Sequence, residues 1–220
     1  MDESVWVIIP AYNEGKRIGE VIDKTKNYAK NIVVVDDGSI DDTIKVAKEK
    51  GVIVLEHLLN MGKGTALKTG CEFALEKGAK IMIAMDADGQ HDPAEIPNFL
   101  KALEGNDIVF GYRKMTKEMP NVLKFGNWFI SKMMALLFEI ELKDTQSGYR
   151  SFTADAYKQI SWEAQNYDVE SEMIVKVGKK KLKYKEIPIQ TIYSDIYKGT
   201  TVMDGIKIVL KLIWWKLTRW

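Results

Sequence analysis

The chain has a single cysteine, Cys71, among 220 residues. One thiol makes no intramolecular disulfide, which points to a reducing, cytoplasmic setting and to a small buried hydrophobe. Long apolar runs are missing as well. A membrane span needs roughly 18 to 20 uncharged apolar residues, but Lys124, Lys132 and Glu139 interrupt one apolar region and Lys207, Lys211 and Lys216 the other. Met1-Asp2-Glu3 leads directly into an apolar strand-like run, without the basic and apolar regions of a secretory signal, so secretion is not expected. Neither sign of charge is in excess. The formal net charge is +1, no basic run is interleaved with aromatics, and nucleic acid is therefore not an expected partner. With no Pro/Gly/Ser-rich linker and no internal repeat, 220 residues are read as one domain, long enough to bury a full core.

Two common nucleotide-binding signatures are also lacking. Gly62-Lys63-Gly64-Thr65 resembles a phosphate loop, but the Walker pattern needs a further Gly with four residues between it and the Gly-Lys pair, and Ser or Thr directly after Lys. His57 and Gly64 occupy those places. After the first strand-like run stands Pro10-Ala11-Tyr12-Asn13 in place of a Gly-x-Gly-x-x-Gly turn. A P-loop ATPase and a nicotinamide enzyme are both set aside.

What is present is an alternation. Strand-like runs at 5–9, 32–35, 52–55, 81–85 and 107–110 are separated by helical patterns, the mark of an α/β unit with a mainly parallel sheet. Ser39 followed by Asp42, and Asp92-Pro93-Ala94-Glu95, both read as helix starts. Polar clusters lie just past three strands: Asn13-Glu14, Asp36-Asp37-Gly38-Ser39, and Asp86-Ala87-Asp88-Gly89-Gln90-His91. Ligands collect at the carboxyl ends of parallel strands. Asp86, Asp88 and Gln90 alternate with small residues, so a turn there converges three hard oxygen donors suited to Mg or Mn. A lone Asp-x-Asp is commonly only a turn; three clusters behind three strands shift the balance to a site.

These pieces, with Gly111-Tyr112-Arg113, Asp144-Thr145-Gln146-Ser147-Gly148-Tyr149-Arg150, the Glu172 region and Glu186-Ile187-Pro188, resemble an inverting family 2 glycosyltransferase of the GT-A fold. Within that family they are most like the dolichyl-phosphate mannose and glucose synthase group. The resemblance runs nearly end to end and implies a nucleotide-sugar half at 1–112, an acceptor half at 113–202 and an interfacial amphipathic helix at 203–220.

The resemblance implies that Pro10, Tyr12 and Glu14 line the base and ribose, that Asp37 contacts them, and that Lys63 belongs to the substrate site. Asp86, Asp88 and Gln90 would bind the divalent cation that offsets charge on the departing diphosphate. Asp88 should matter most, while His91 is read as supporting structure and His57 as packing. Arg113 would grip a phosphate through its planar fork. Ser147 and Arg150 would face the transferred sugar and the acceptor, with Gly148 permitting a tight backbone. Ser131 belongs to the acceptor-side helix. A lipid phosphate acceptor arrives already anionic and needs no strong base, whereas an alcohol would need one, for which Asp144 or Glu172 is the candidate.

The chain departs from the group in two places. Asn127 stands where some relatives carry Arg, and Lys198-Gly199-Thr200-Thr201-Val202 replaces a Gly-x-Ser-Lys segment, leaving Lys198 as the substitute phosphate ligand. Trp214, Trp215 and Trp220 among Lys207, Lys211, Lys216 and Arg219 carry the signature of a helix lying at a bilayer interface. Lys207 and Lys211 share a helical face and Lys216 lies nearly opposite, so a helix docked on its own domain is the competing reading. The expected activity is metal-dependent transfer of a hexose from a UDP- or GDP-sugar to polyprenyl phosphate, peripherally on the cytoplasmic face of the membrane. A transferase with a soluble saccharide or protein acceptor, and a silent nucleotide-sugar binder, are the alternatives.

Overall fold

The computed structural model describes residues 2–113, 121–166, 168–190, 192 and 202–218, with the backbone alone at 121–125 and 202–206. Seven strands form one sheet: β1 Val5–Ala11, β2 Asn31–Asp36, β3 Ile53–Glu56, β4 Ile81–Ala84, β5 Ile108–Arg113, β6 Arg150–Thr153 and β7 Tyr184–Ile189. Their order is β3-β2-β1-β4-β6-β5-β7. All pairs are parallel except those of β6, which runs antiparallel between β4 and β5. The five expected strands are all present. β6 and β7 are additions, and Pro188 in β7 is tolerated because β7 is an edge strand.

Strand alternation divides the core. On β1, Val5, Val7, Ile9 and Ala11 face one side, where α1 (Ile18–Thr25), α2 (Thr43–Glu49) and α4 (Ile96–Leu103) pack. Trp6 and Ile8 face the other, covered by α3 (Lys63–Glu76), α5 (Asn121–Phe138), α6 (Ala154–Ile160), α7 (Val169–Lys180) and α8 (Val202–Leu217). Sheet strands buried on both faces read as continuous apolar runs, as Val33-Val34-Val35 does. Cys71 is fully buried on α3, and burial raises its thiol well above the ordinary pKa.

Two helix starts were expected. Asp92 caps the 3-10 turn Pro93–Glu95 by accepting from Ala94 N at 3.0 Å. Ser39 does not cap α2. Its hydroxyl accepts from Asn13 N at 2.8 Å, tying the loop after β2 to the loop after β1, and α2 begins only after Asp42.

In register, Ala11 lies opposite Asp36 and Ile8 opposite Ala84. The carboxyl ends of β1, β2 and β4 therefore deliver residues 12–14, 37–39 and 85–88 to one edge of the sheet.

Candidate active site

A cleft of about 480 Å³ opens along that edge. Pro10, Tyr12, Asn13 and Glu14 form one wall, Asp37 and Asn60 a second, and Lys63, Asp86, Asp88 and Asn166 the rest. The volume suits a nucleotide-sized ligand.

The loop after β4 is organised from within. Gln90 N donates to Asp88 Oδ1 at 2.9 Å, and Asp86 N donates to His91 Nδ1 at 3.1 Å. Gln90 orients Asp88 through its backbone and does not line the cleft, so the expected three-donor convergence reduces to two carboxylates. Among the described residues no three His, Cys, Asp or Glu side chains form a ready metal cage. His91 is buried and stacks on Tyr149, with centroids 4.9 Å apart. Burial lowers its pKa to about 4, against the pull of Asp86, so at neutral pH it is an uncharged support.

The two carboxylates differ. Burial raises Asp86, but the charge of Lys63 outweighs it and brings its pKa down to about 2. Lys63 Nζ lies 2.7 Å from Asp86 Oδ1 and 2.8 Å from Glu170 Oε1, and these carboxylates raise its pKa in spite of burial. Asp88 is raised by burial and then by the charge of Asp86. A carboxylate held at a cleft wall beside another carboxylate, and left costly to ionise, fits a cation ligand. The two carboxylates fit a hard divalent ion, which Asp88 with Asp86 would hold.

Lys63 is presented by an unusual contact. Gly62 has φ +93°, and side-chain carbons at Gly62 and Gly64 would meet Gln165 O at 2.3 Å and Ala164 O at 2.1 Å. Gly64 N donates to Gln165 O at 2.7 Å, and Trp162 Nε1 to Gly64 O at 2.8 Å. The glycines thus serve close backbone packing against segment 161–166, which brings Asn166 to the cleft. The sequence reading missed Asn60, Asn166 and Glu170; only the two glycines around Lys63 hinted that a second segment packs there.

Several expected ligands are engaged by the fold itself. Asp37 accepts from Met61 N (2.9 Å), His57 Nδ1 (2.8 Å) and Gly62 N (2.8 Å), so its oxygens organise the 57–62 loop. His57 is a polar bridge to Thr69 Oγ1 at 3.0 Å rather than packing. Asp36 braces the turn by accepting from Ser39 N. Glu172 is buried, accepts from Glu163 N (2.8 Å) and Ala164 N (2.7 Å), and pairs with Lys176 at 2.9 Å. It secures segment 161–166 and does not line the cleft. Arg150 is fully buried, with its guanidinium donating to the carbonyls of Ser147, Glu170 and Thr145. Burial lowers its pKa to about 10.

At the end of β5, Arg113 holds Asp144 by two bonds, Nε to Oδ2 at 2.7 Å and Nη2 to Oδ1 at 3.1 Å. Burial raises Asp144, but Arg113 outweighs it and holds the carboxyl below its ordinary pKa. The charge of Arg113 also acts on Asp86, although Arg113 does not line the cleft. Asn127 joins α5 to this loop, donating to Lys143 O at 3.0 Å. The hydroxyls of Ser131 and Ser147 are buried without a hydrogen-bond partner among the described residues. Gly148 leaves space for the Lys63–Asp86 pair, since a Cβ there would lie 2.9 Å from Lys63 Nζ and 3.0 Å from Asp86 and the pair would have to shift. Lys198, Arg219 and Trp220 lie outside the described residues.

Residues 6–161 match the sequence model of glycosyl transferase family 2, and the chain belongs to that family. It is a glycosyltransferase with the GT-A fold. It is 37% identical to the UDP-N-acetylglucosamine–dolichyl-phosphate N-acetylglucosaminyltransferase of Methanococcus voltae, over 99% of this chain and 98% of that one. To the undecaprenyl-phosphate mannosyltransferase of Micrococcus luteus it is 27% identical, over 98% and 93%. Among solved structures it resembles glucosyl-3-phosphoglycerate synthase of Mycobacterium tuberculosis, solved with Mn2+, UDP and phosphoglyceric acid. There the TM-score is 0.75 at 20% identity, covering 94% of this chain and 78% of that one.

Proposed function

We propose that the protein transfers a hexose from a UDP- or GDP-sugar to a polyprenyl phosphate, with inversion, from a peripheral position on the cytoplasmic face of the membrane. The observation that carries this reading is the commitment of both candidate bases. Asp144 is locked to Arg113 and Glu172 to the backbone of 163–164. A site without a carboxylate base in those positions suits a nucleophile that arrives already ionised, as a phosphate oxygen does near neutral pH.

The cleft supplies the donor half of the reaction. Tyr12 and Glu14 bound the end assigned to base and ribose, and Lys63, Asp86 and Asp88 the end assigned to the diphosphate. A divalent ion held by Asp88 and Asp86 would neutralise the charge that builds on the leaving diphosphate. Arg113, fixed by Asp144, is assigned to the acceptor phosphate; the relatives named for dolichyl- and undecaprenyl-phosphate support that acceptor class. The acceptor oxygen attacks C1 of the sugar opposite the bond to the nucleotide, and the diphosphate departs with that bonding pair.

No described helix is long and apolar enough to cross a membrane. α5 and α8 pack together and carry exposed Trp128, Leu136 (78%), Leu210, Trp214 (64%) and Leu217. Lys132, Lys207 and Lys211 are exposed on the same helices. Apolar side chains beside basic ones suit a headgroup interface.

The test offers purified enzyme labelled UDP- and GDP-sugars with polyprenyl phosphate and Mn2+ or Mg2+, then counts label extracted into organic solvent. Metal-dependent label in the organic phase is expected with one nucleotide class. Label that stays aqueous with every donor, yet transfers to a soluble saccharide, would overturn the lipid acceptor.

A further inference from the structure

Lys63 bridges two carboxylates of different standing. Asp86 reaches the cleft, whereas Glu170 does not: its side chain is 7% exposed and lines only a small inner cavity with Arg150, Met173 and Gly148. That cavity is about 10 Å³, room for a water at most. Glu170 therefore touches Lys63 and no substrate. A buried carboxylate is costly unless its surroundings hold the charge. Glu170 sits in the first turn of α7, where the helix dipole favours an anion, and Arg150 clamps that turn by donating to the Glu170 carbonyl at 2.8 Å. Even so, Oε2 has no hydrogen-bond partner among the described residues. The one ion pair described for this buried carboxylate is with the ammonium of Lys63, and the buried guanidinium of Arg150 is the other cation that feels its charge. Gly148, which lines the same inner cavity, leaves room for the Lys63–Asp86 pair, since a Cβ there would lie 2.9 Å from Lys63 Nζ and 3.0 Å from Asp86.

We propose that Glu170 is a positioning residue of the transferase, holding the Lys63 ammonium at the cleft wall beside Asp86 and so setting affinity for the donor diphosphate. The inference rests on the donor reading of the cleft given above. Because Glu170 acts only through Lys63, its removal weakens binding of donor and nucleoside diphosphate together and leaves the rate at saturating donor nearly unchanged. Removing Lys63 makes Glu170 irrelevant to the donor.

The test is a double-mutant cycle on the full chain, with UDP and GDP binding in Mn2+ measured by calorimetry beside donor KM and kcat. Glu170→Gln is expected to weaken the nucleotide and raise donor KM roughly tenfold, with kcat within about twofold. In a Lys63→Met background the same substitution should add less than about twofold. If Glu170→Gln does not fold, Glu170→Asp, which keeps the charge one methylene short of reach, carries the same expectation. Unchanged nucleotide affinity, or effects of Lys63→Met and Glu170→Gln that simply add, overturn the assignment. If Lys63→Met weakens the nucleotide and Glu170→Gln does not, Glu170 alone is wrong. If the wild-type chain binds neither nucleotide, the donor reading fails and this assignment with it.

Discussion

Asp88 has an acid–base cost that can be read without any substrate. Burial and the neighbouring Asp86 raise its pKa above 3.8 in the folded chain. For a carboxyl group raised on folding, the folded state is penalised once pH exceeds both pKa values, and the penalty vanishes when both states are protonated. In EDTA, Asp88→Asn should therefore raise Tm by a few degrees at neutral pH, and the gain should disappear as pH falls towards 3.8. Calorimetric scans across pH check it. The same variant should lose transferase activity by about two orders of magnitude, because a neutral amide holds a hard cation more weakly than a carboxylate does. A Tm unchanged or lowered at pH 7 would contradict the account. At this scale the sequence was informative about position and poor about direction. Asp86, Asp88 and Lys63 do meet at the cleft. Arg150 and Glu172 turn away, and Asp37 lines the cleft with its oxygens engaged, because backbone N–H and C=O groups from 57–62, 145–147 and 163–164 claim them. Those partners lie up to 25 residues off, and no local pattern announces them.

Among elements, the contact of Gly62-Lys63-Gly64 with segment 161–166 joins the start of α3 to α7. Gly64→Ala would drive a methyl to 2.1 Å from Ala164 O, a backbone atom that cannot rotate aside. We expect a loss of at least about 2 kcal/mol in urea unfolding and a disproportionate loss of donor affinity, since Lys63 follows the displaced backbone. Gly78→Ala serves as the comparison, because its left-handed backbone (φ +85°) has open space around it and only strain is added. β1 to β5 were legible from their apolar runs. β6 was not, because its four residues begin at Arg150, which reads as a ligand, and its antiparallel direction follows from chain connectivity rather than composition.

For the molecule as a whole, α8 is neither a free anchor nor a fully packed helix. Ile208, Leu212 and Trp215 are buried in the core while Leu210, Ile213, Trp214 and Leu217 face outward. Removing the helix would uncover the core, so surface substitution is the cleaner probe. Leu210→Ser with Trp214→Ser and Leu217→Ser should abolish co-sedimentation with anionic vesicles while Tm stays within a few degrees, and wild-type binding should weaken with salt. Undiminished binding by the folded triple variant would move the membrane face to α5 alone.

The position of β6 has a consequence for anyone recombining this enzyme with a relative. A strand from residues 150–153 is stitched between β4 and β5, so the later part of the chain completes the sheet of the earlier part. A crossover near residue 112 would hand each parent's sheet a foreign middle strand, and such chimeras should emerge insoluble. Exchanges confined to the outward side chains of α5 and α8 leave that seam uncut and are the grafts that should survive.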